Sequence, residues 1–119
     1  MTDTQHFSGK RLLLVEDDYF IARDTARLLT AEGAEVVGPA SNVARALELI
    51  DAHQIDAAVL DVHLGSEMVF PVAEALAARG VPHVFATGYD QAAIPAQHAN
   101  VKRCEKPVEA SALAKALFG

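Results

Sequence analysis

Glu16, Asp17, Asp61, Thr87 and Lys106 are the residues of this chain whose types combine into a definite chemistry. Three carboxylates gathered together repel one another and raise one another's pKa unless a cation joins them, and an all-oxygen set suits a hard ion such as Mg²⁺. Opposite them, the Lys106 ammonium and the Thr87 hydroxyl supply donors to an anion. That is the arrangement expected for transfer of a phosphoryl group, whose charge is spread over its oxygens. Asp61 is then the nucleophile. It ends the apolar run Ala57-Ala58-Val59-Leu60 and is followed by Val62-His63-Leu64-Gly65, so it stands at the edge of the core with a turn just beyond. On that stretch alone an aspartate that merely ends a strand and caps a turn fits equally well. Convergence of the other four residues decides between the two readings.

Convergence requires elements that bring distant strand ends together. Arg11-Leu12-Leu13-Leu14-Val15 is a strand-length apolar run that stops at Glu16-Asp17-Asp18, and Ile21, Thr25, Leu28 and Leu29 then repeat at helical spacing until Gly33. Asp18 reads as the cap of that helix and not as a ligand, because an aspartate there satisfies free N–H groups. Glu35-Val36-Val37-Gly38, closed by Pro39, is a second strand. Ser41 or Asn42 caps a helix whose Val43, Ala46, Leu47 and Ile50 share a face. After Asp61, Gly65-Ser66-Glu67 reads as a loop, and Val69, Val72, Ala73 and Leu76 mark a third helix with Pro71 in its first turn and Gly80 at its end. Pro82 to Thr87 is a fourth strand and Val101 to Cys104 a fifth, before a last helix striped by Ala110, Leu113, Ala114 and Leu117. Between those two strands only Ala92, Ala93 and Ile94 form an apolar face, and Pro95 interrupts it. A fourth helix there is expected to be short or mobile. Five strands alternating with five helices predict an α/β fold, a doubly wound parallel sheet with helices on both faces. In such a sheet the ends of strands one, three, four and five share an edge, and those ends carry the five residues named first.

The totals agree with one domain. The chain has 119 residues, a hydrophobic fraction of 51% and a charged fraction of 22%, which is enough to bury a core without disulfides. Residues 1–10 lack the apolar stretch of a secretory signal and read as a flexible leader before a domain over 11–119. No apolar run approaches the roughly 18 residues a membrane span needs, so a cytoplasmic protein is expected. A net charge of −6 with scattered Lys and Arg argues against direct binding of nucleic acid or an anionic membrane surface. One cysteine, Cys104, forbids an internal disulfide, and the five histidines form no compact ligand spacing for zinc.

From Arg11 to Gly119 the chain resembles the receiver domains of two-component response regulators. The resemblance rests on the acidic pair Glu16-Asp17, the aspartate Asp61, the threonine Thr87 and the lysine-proline Lys106-Pro107, in order and at the ends of the matching strands. It implies a flavodoxin-like fold with strand order 2-1-3-4-5 and a Lys106-Pro107 bond that can be cis. It also implies that Asp17, Asp61 and the backbone carbonyl of His63 bind Mg²⁺, with Glu16 holding metal-bound water. Asp61 would accept a phosphoryl group from a histidine kinase or histidine phosphotransfer protein. Thr87 and Lys106 would bind phosphate oxygens and draw the following loop inward, a charge-driven switch. Such a protein catalyses its own phosphorylation and slow dephosphorylation but turns over no external substrate.

Three residues before Lys106, where receivers commonly carry an aromatic that swings inward, this chain has Arg103. Phe85-Ala86-Thr87-Gly88-Tyr89 is similar to the signature of an alphaproteobacterial receiver subgroup that lacks that aromatic. The switching role is therefore expected to fall to Tyr89 with Gly88 as pivot, beside Thr87, Arg103 and Pro107. If the protein ends at Gly119, no DNA-binding output domain is expected after the last helix; if it continues, an effector is expected there. A monomer or weak dimer is expected, acting on a downstream signalling protein by contact or by competition for phosphoryl groups. Three alternatives were weighed. An aspartate-nucleophile phosphatase of the haloacid dehalogenase type needs a second aspartate where His63 stands. A dinucleotide or flavin module needs a glycine-rich loop where the acidic residues stand. A receiver-like binding module that no longer uses phosphorylation has no reason to retain Asp17, Asp61, Thr87 and Lys106 together.

Overall fold

Leu12 to Val15 are apolar on both faces because the strand they form lies in the middle of the sheet. In the computed structural model, which describes residues 6–88 and 94–119, β1 (Arg11–Val15) pairs in parallel with β2 (Glu35–Ala40) on one side and β3 (Ala57–Asp61) on the other. β4 (His83–Thr87) follows β3, and β5 (Lys102–Glu105) follows β4, all parallel, so the order is β2-β1-β3-β4-β5. This is the flavodoxin-like order expected.

Side chains alternate across the pleat and build two cores. Leu13, Val15, Ala58, Leu60 and Phe85 face α2 (Val43–Ala52) and α3 (Phe70–Ala78). Leu12, Leu14, Val59, Val84 and Cys104 face α1 (Tyr19–Ala31) and α4 (Ala110–Phe118). Helix ends follow local chemistry. Asp18 accepts hydrogen bonds from the Phe20 and Ile21 amides at 2.9 and 3.0 Å, and Asn42, not Ser41, accepts from the Arg45 amide at 2.8 Å. Pro71 sits in the first turn of α3, where its missing N–H costs nothing.

Several elements differ from the sequence reading. β2 runs through Pro39 to Ala40 and carries an irregularity opposite β1 between Leu13 and Val15. Gly38 makes that possible: its φ is +102°, and a Cβ there would lie 2.9 Å from the Leu14 carbonyl oxygen. The stretch after Asp61 is not an open loop, because His63–Leu64 and Glu67–Met68 form a two-residue antiparallel ladder around Gly65. The described residues hold four α-helices, and the short fourth helix expected around Ala92, Ala93 and Ile94 falls largely outside them. In the β4–β5 connection they show a 3₁₀ turn at Ala96–His98, consistent with a segment whose apolar face is short and broken by Pro95. Residues 89–93 lie outside the described residues.

The leader expected over residues 1–10 is corrected from His6 onward. Phe7 is wholly buried against the α1/α4 core and its ring meets Phe118 at 6.3 Å. Its amide donates to the Glu32 carbonyl at 2.9 Å. One apolar residue in a polar run gives no periodic signal, yet burying a phenyl ring contributes about 2 kcal/mol, enough to fix a short segment. Among the described residues no helix is long and apolar enough to cross a membrane.

Candidate functional site

Because the strands are parallel, the chain leaves β1, β3, β4 and β5 at the same edge of the sheet, and Glu16, Asp61, Thr87 and Lys106 stand at those exits. Glu16 is buried, its backbone fixed by an N–H donated to the Ala40 carbonyl at 2.9 Å. Its carboxylate accepts from the Asp18 amide at 3.0 Å and from Lys106 Nζ at 2.7 Å. The same Nζ lies 3.1 Å from Asp61 Oδ1. The Lys106 amide donates to the Thr87 carbonyl at 2.7 Å, which ties the exits of β4 and β5 together. Asp17 is exposed beside this pair, and one carboxylate oxygen each from Glu16, Asp17 and Asp61 lie within 4.8 Å of one another.

Electrostatics follow from that crowding. Burial pushes the Asp61 carboxyl up to about 7; Glu16 adds to the rise and Lys106 opposes it. At Lys106 burial works against the charge, but the bonds to Glu16 and Asp61 outweigh it and its pKa is raised. One ammonium faces three carboxylates. A pair of like charges about 5 Å apart repels by about 3 kcal/mol at an effective dielectric near 20, so one lysine leaves positive charge still in demand. The donor set is all oxygen and net negative, which fits a hard divalent cation.

The remaining expected residues are distributed around this cluster. Thr87 is buried and, with Gly88, Asp61, Lys106 and Pro107, borders a cavity of about 710 Å³ that opens between α1 and the start of α4. Ile21, Thr25 and Leu28 were expected in the core stripe of α1. Leu29, expected with them, is buried together with Ala22, while Ile21, Thr25 and Leu28 line that cavity, Leu28 also packing partly on the core. The Lys106–Pro107 bond is cis, as the resemblance implied. His63 is exposed in the short ladder, and Arg103 is exposed on β5 in register with Phe85, which removes any need for a buried partner. Tyr89 lies outside the described residues, so the switch expected there is not placed.

Two features escaped the sequence reading. Glu67, read as loop, accepts from the Val43 amide at 3.3 Å and links the connection after Asp61 to the start of α2. His98, one of five dispersed histidines, is buried against Phe70 and Phe85. A histidine between alanines and polar residues offers no periodic cue; its burial depends on rings from two other elements.

Comparison with known proteins agrees with this geometry. The response regulator receiver domain family matches residues 12–118. The transcriptional regulatory protein PdtaR of Mycobacterium tuberculosis is 32% identical over 91 residues, covering 76% of this chain and 44% of that protein. The chain thus spans less than half the length of that relative. The solution structure of SdrG from Sphingomonas melonis Fr1 superposes with a TM-score of 0.80 at 40% identity, covering 91% of this chain and 92% of SdrG. The BeF3-activated conformation of SdrG, from Pseudomonas melonis Fr1, superposes with a TM-score of 0.74 at 40% identity, covering 92% and 94%.

Proposed function

The chain belongs to the response regulator receiver domain family of two-component systems, and on that premise we propose that Asp61 is its phosphoacceptor, loaded from a phosphohistidine of a histidine kinase or phosphotransfer protein. The observation that carries the reading is Lys106 Nζ held 2.7 Å from Glu16 and 3.1 Å from Asp61 at one sheet edge. An acceptor carboxylate with a donor already beside it needs little rearrangement to stabilise charge on an incoming phosphoryl group.

Glu16, Asp17 and Asp61 would hold Mg²⁺, with the His63 carbonyl as a further ligand. When bound, that ion supplies positive charge that screens the carboxylates and the phosphoryl oxygens. An Asp61 oxygen forms the new P–O bond as the P–N bond of the phosphohistidine breaks. The electron pair returns to the imidazole nitrogen, which takes up a proton from solvent. Asp61 must be ionised to attack, and its raised pKa means that a proton competes with the cation below about pH 7. Lys106 donates to the oxygens of the transferred group, and the Thr87 hydroxyl, buried at the end of β4, donates from the other side. The group adds charge and acceptors at the exits of β3, β4 and β5, which biases the loops leaving them. This makes the protein a signalling module in the cytoplasm whose output is contact with a downstream protein or competition for phosphoryl groups. Thr87, Gly88, Tyr89, Arg103 and Pro107 are the positions through which that output would pass.

Incubation with acetyl phosphate and Mg²⁺, followed by intact mass measurement, tests the assignment. One added phosphoryl group is expected on the wild type and none on Asp61→Asn. An unchanged wild-type mass, or an addition that survives the substitution, would overturn the proposal and favour a receiver that binds partners without phosphorylation.

A further inference from the structure

Beyond the strand-end cluster, His98 is the remaining buried polar residue among those described. Its ring stacks on Phe70 with centroids 5.2 Å apart and planes 14° from parallel. It also meets Phe85 edge-on at 6.2 Å, while Phe70 and Phe85 are themselves T-shaped at 5.8 Å. The polar edge of the imidazole points to the rim of α3. Nε2 lies 3.3 Å from the Gln97 amide nitrogen and 3.8 Å from Glu74, and Gln97 donates to Glu74 at 2.9 Å. The turn that carries His98 is closed by its own amide on the Pro95 carbonyl and by the Val101 amide on its carbonyl.

The three rings come from the elements that leave the candidate site. Phe70 opens α3, which the chain reaches through the short ladder after Asp61. Phe85 lies two residues before Thr87, in register with Leu60 and with Arg103. Arg103 is exposed, so β5 brings no aromatic to this layer. Among the described residues of the β4–β5 connection, His98 is the aromatic in contact with Phe85. Close-packed rings have no slack to absorb a shift of one member, so a movement at either exit must be passed to the third ring.

We infer that His98 is a positioning residue that couples the phosphorylation state of Asp61 to the surface of α3 around Glu74 and Gln97. The coupling rests on the phosphoacceptor reading. A shift of the β4 end moves Phe85, the stacked imidazole follows between the two phenyl rings, and its polar edge changes its hold on Gln97 and Glu74. Packing alone would make His98 matter for stability but leave the α3 surface silent when Asp61 is loaded.

Nuclear magnetic resonance of the full chain with Mg²⁺ and beryllium trifluoride, a phosphoryl mimic, separates these cases. In the wild type the His98 ring proton and the Glu74 and Gln97 amides should shift along the same titration curve as the Thr87 amide. His98→Ala should shrink the Glu74 shift several-fold while Thr87 still responds. His98→Phe keeps the ring stack, guards against a folding defect, and should retain the Phe70 and Phe85 responses but lose that of the Gln97 side-chain amide. A Thr87 shift with an unmoved His98 ring, or an undiminished Glu74 shift in His98→Ala, overturns the coupling and leaves the phosphoacceptor reading standing. If neither Thr87 nor His98 moves, both readings fall together.

Discussion

Two regions of the sheet's edge hold polar side chains in place by different forces. At the exits of β1, β3 and β5, Glu16, Asp61 and Lys106 are set by backbone pairing, and charge attraction does the fine positioning over 2.7 and 3.1 Å. In the β4–β5 connection the described backbone offers only a 3₁₀ turn, and His98 is held by ring packing with Phe70 and Phe85. The first region is rigid in backbone and electrostatically unfinished. The second depends mainly on shape, with one polar edge at Gln97 and Glu74. If Asp61 is loaded and His98 couples to it as inferred, charge added at the first region becomes displacement at the second.

Substitutions that strike one region and spare the other sharpen this contrast. The largest effect is expected for Phe85→Ala, which removes a wholly buried ring from beneath His98 and should lower unfolding free energy by about 3–5 kcal/mol in denaturant titrations. Lys106→Met should cost about 2–4 kcal/mol at alkaline pH, because Glu16 and Asp61 then face each other without their shared cation. Without Lys106 the Asp61 carboxyl is lifted further above its ordinary value, so the penalty should shrink as pH falls toward about 7 and the variant takes up its proton earlier than the wild type. A loss independent of pH would mean that packing of the lysine stem, and not its charge, holds the cluster.

A third substitution has the opposite sign. Asp61 has a folded-state pKa raised from 3.8 to about 7, so the folded chain binds its proton more tightly than the unfolded chain does. The stability this contributes is complete below about pH 4 and is lost as pH rises through about 7. Asp61→Asn removes that loss, so without Mg²⁺ the variant should be more stable than wild type at pH 8 and equal to it near pH 4. Thermal melts across that range would read the crossover. Added Mg²⁺ should narrow the gap by stabilising the wild type alone.

The strand ends were legible because their signal is local. Four apolar residues stopping at Glu16 or at Asp61 mark both a buried strand and its exit, and parallel topology then implies that the exits meet. The caps Asp18 and Asn42 and the stop at Gly33 were legible for the same reason. Phe7, His98 and Glu67 were not, since each owes its position to partners far along the chain: Glu32 and Phe118, Phe70 and Phe85, and Val43. The α1 stripe fell between the two. Its period is that of a helix and Leu29 is buried as expected, but Ile21 is exposed and borders the cavity beside the strand ends.

The sequence by itself determined the alternation of strands and helices around a parallel sheet and the five residue types that meet at one edge, because period, run length and terminating charges are properties of neighbours along the chain. Only the tertiary structure decided that Lys106 bridges Glu16 and Asp61, that burial lifts the Asp61 carboxyl towards 7, and that a histidine fills the aromatic layer beside Phe85. Desolvation and ring packing depend on what lies across space, and no spacing along the chain encodes it.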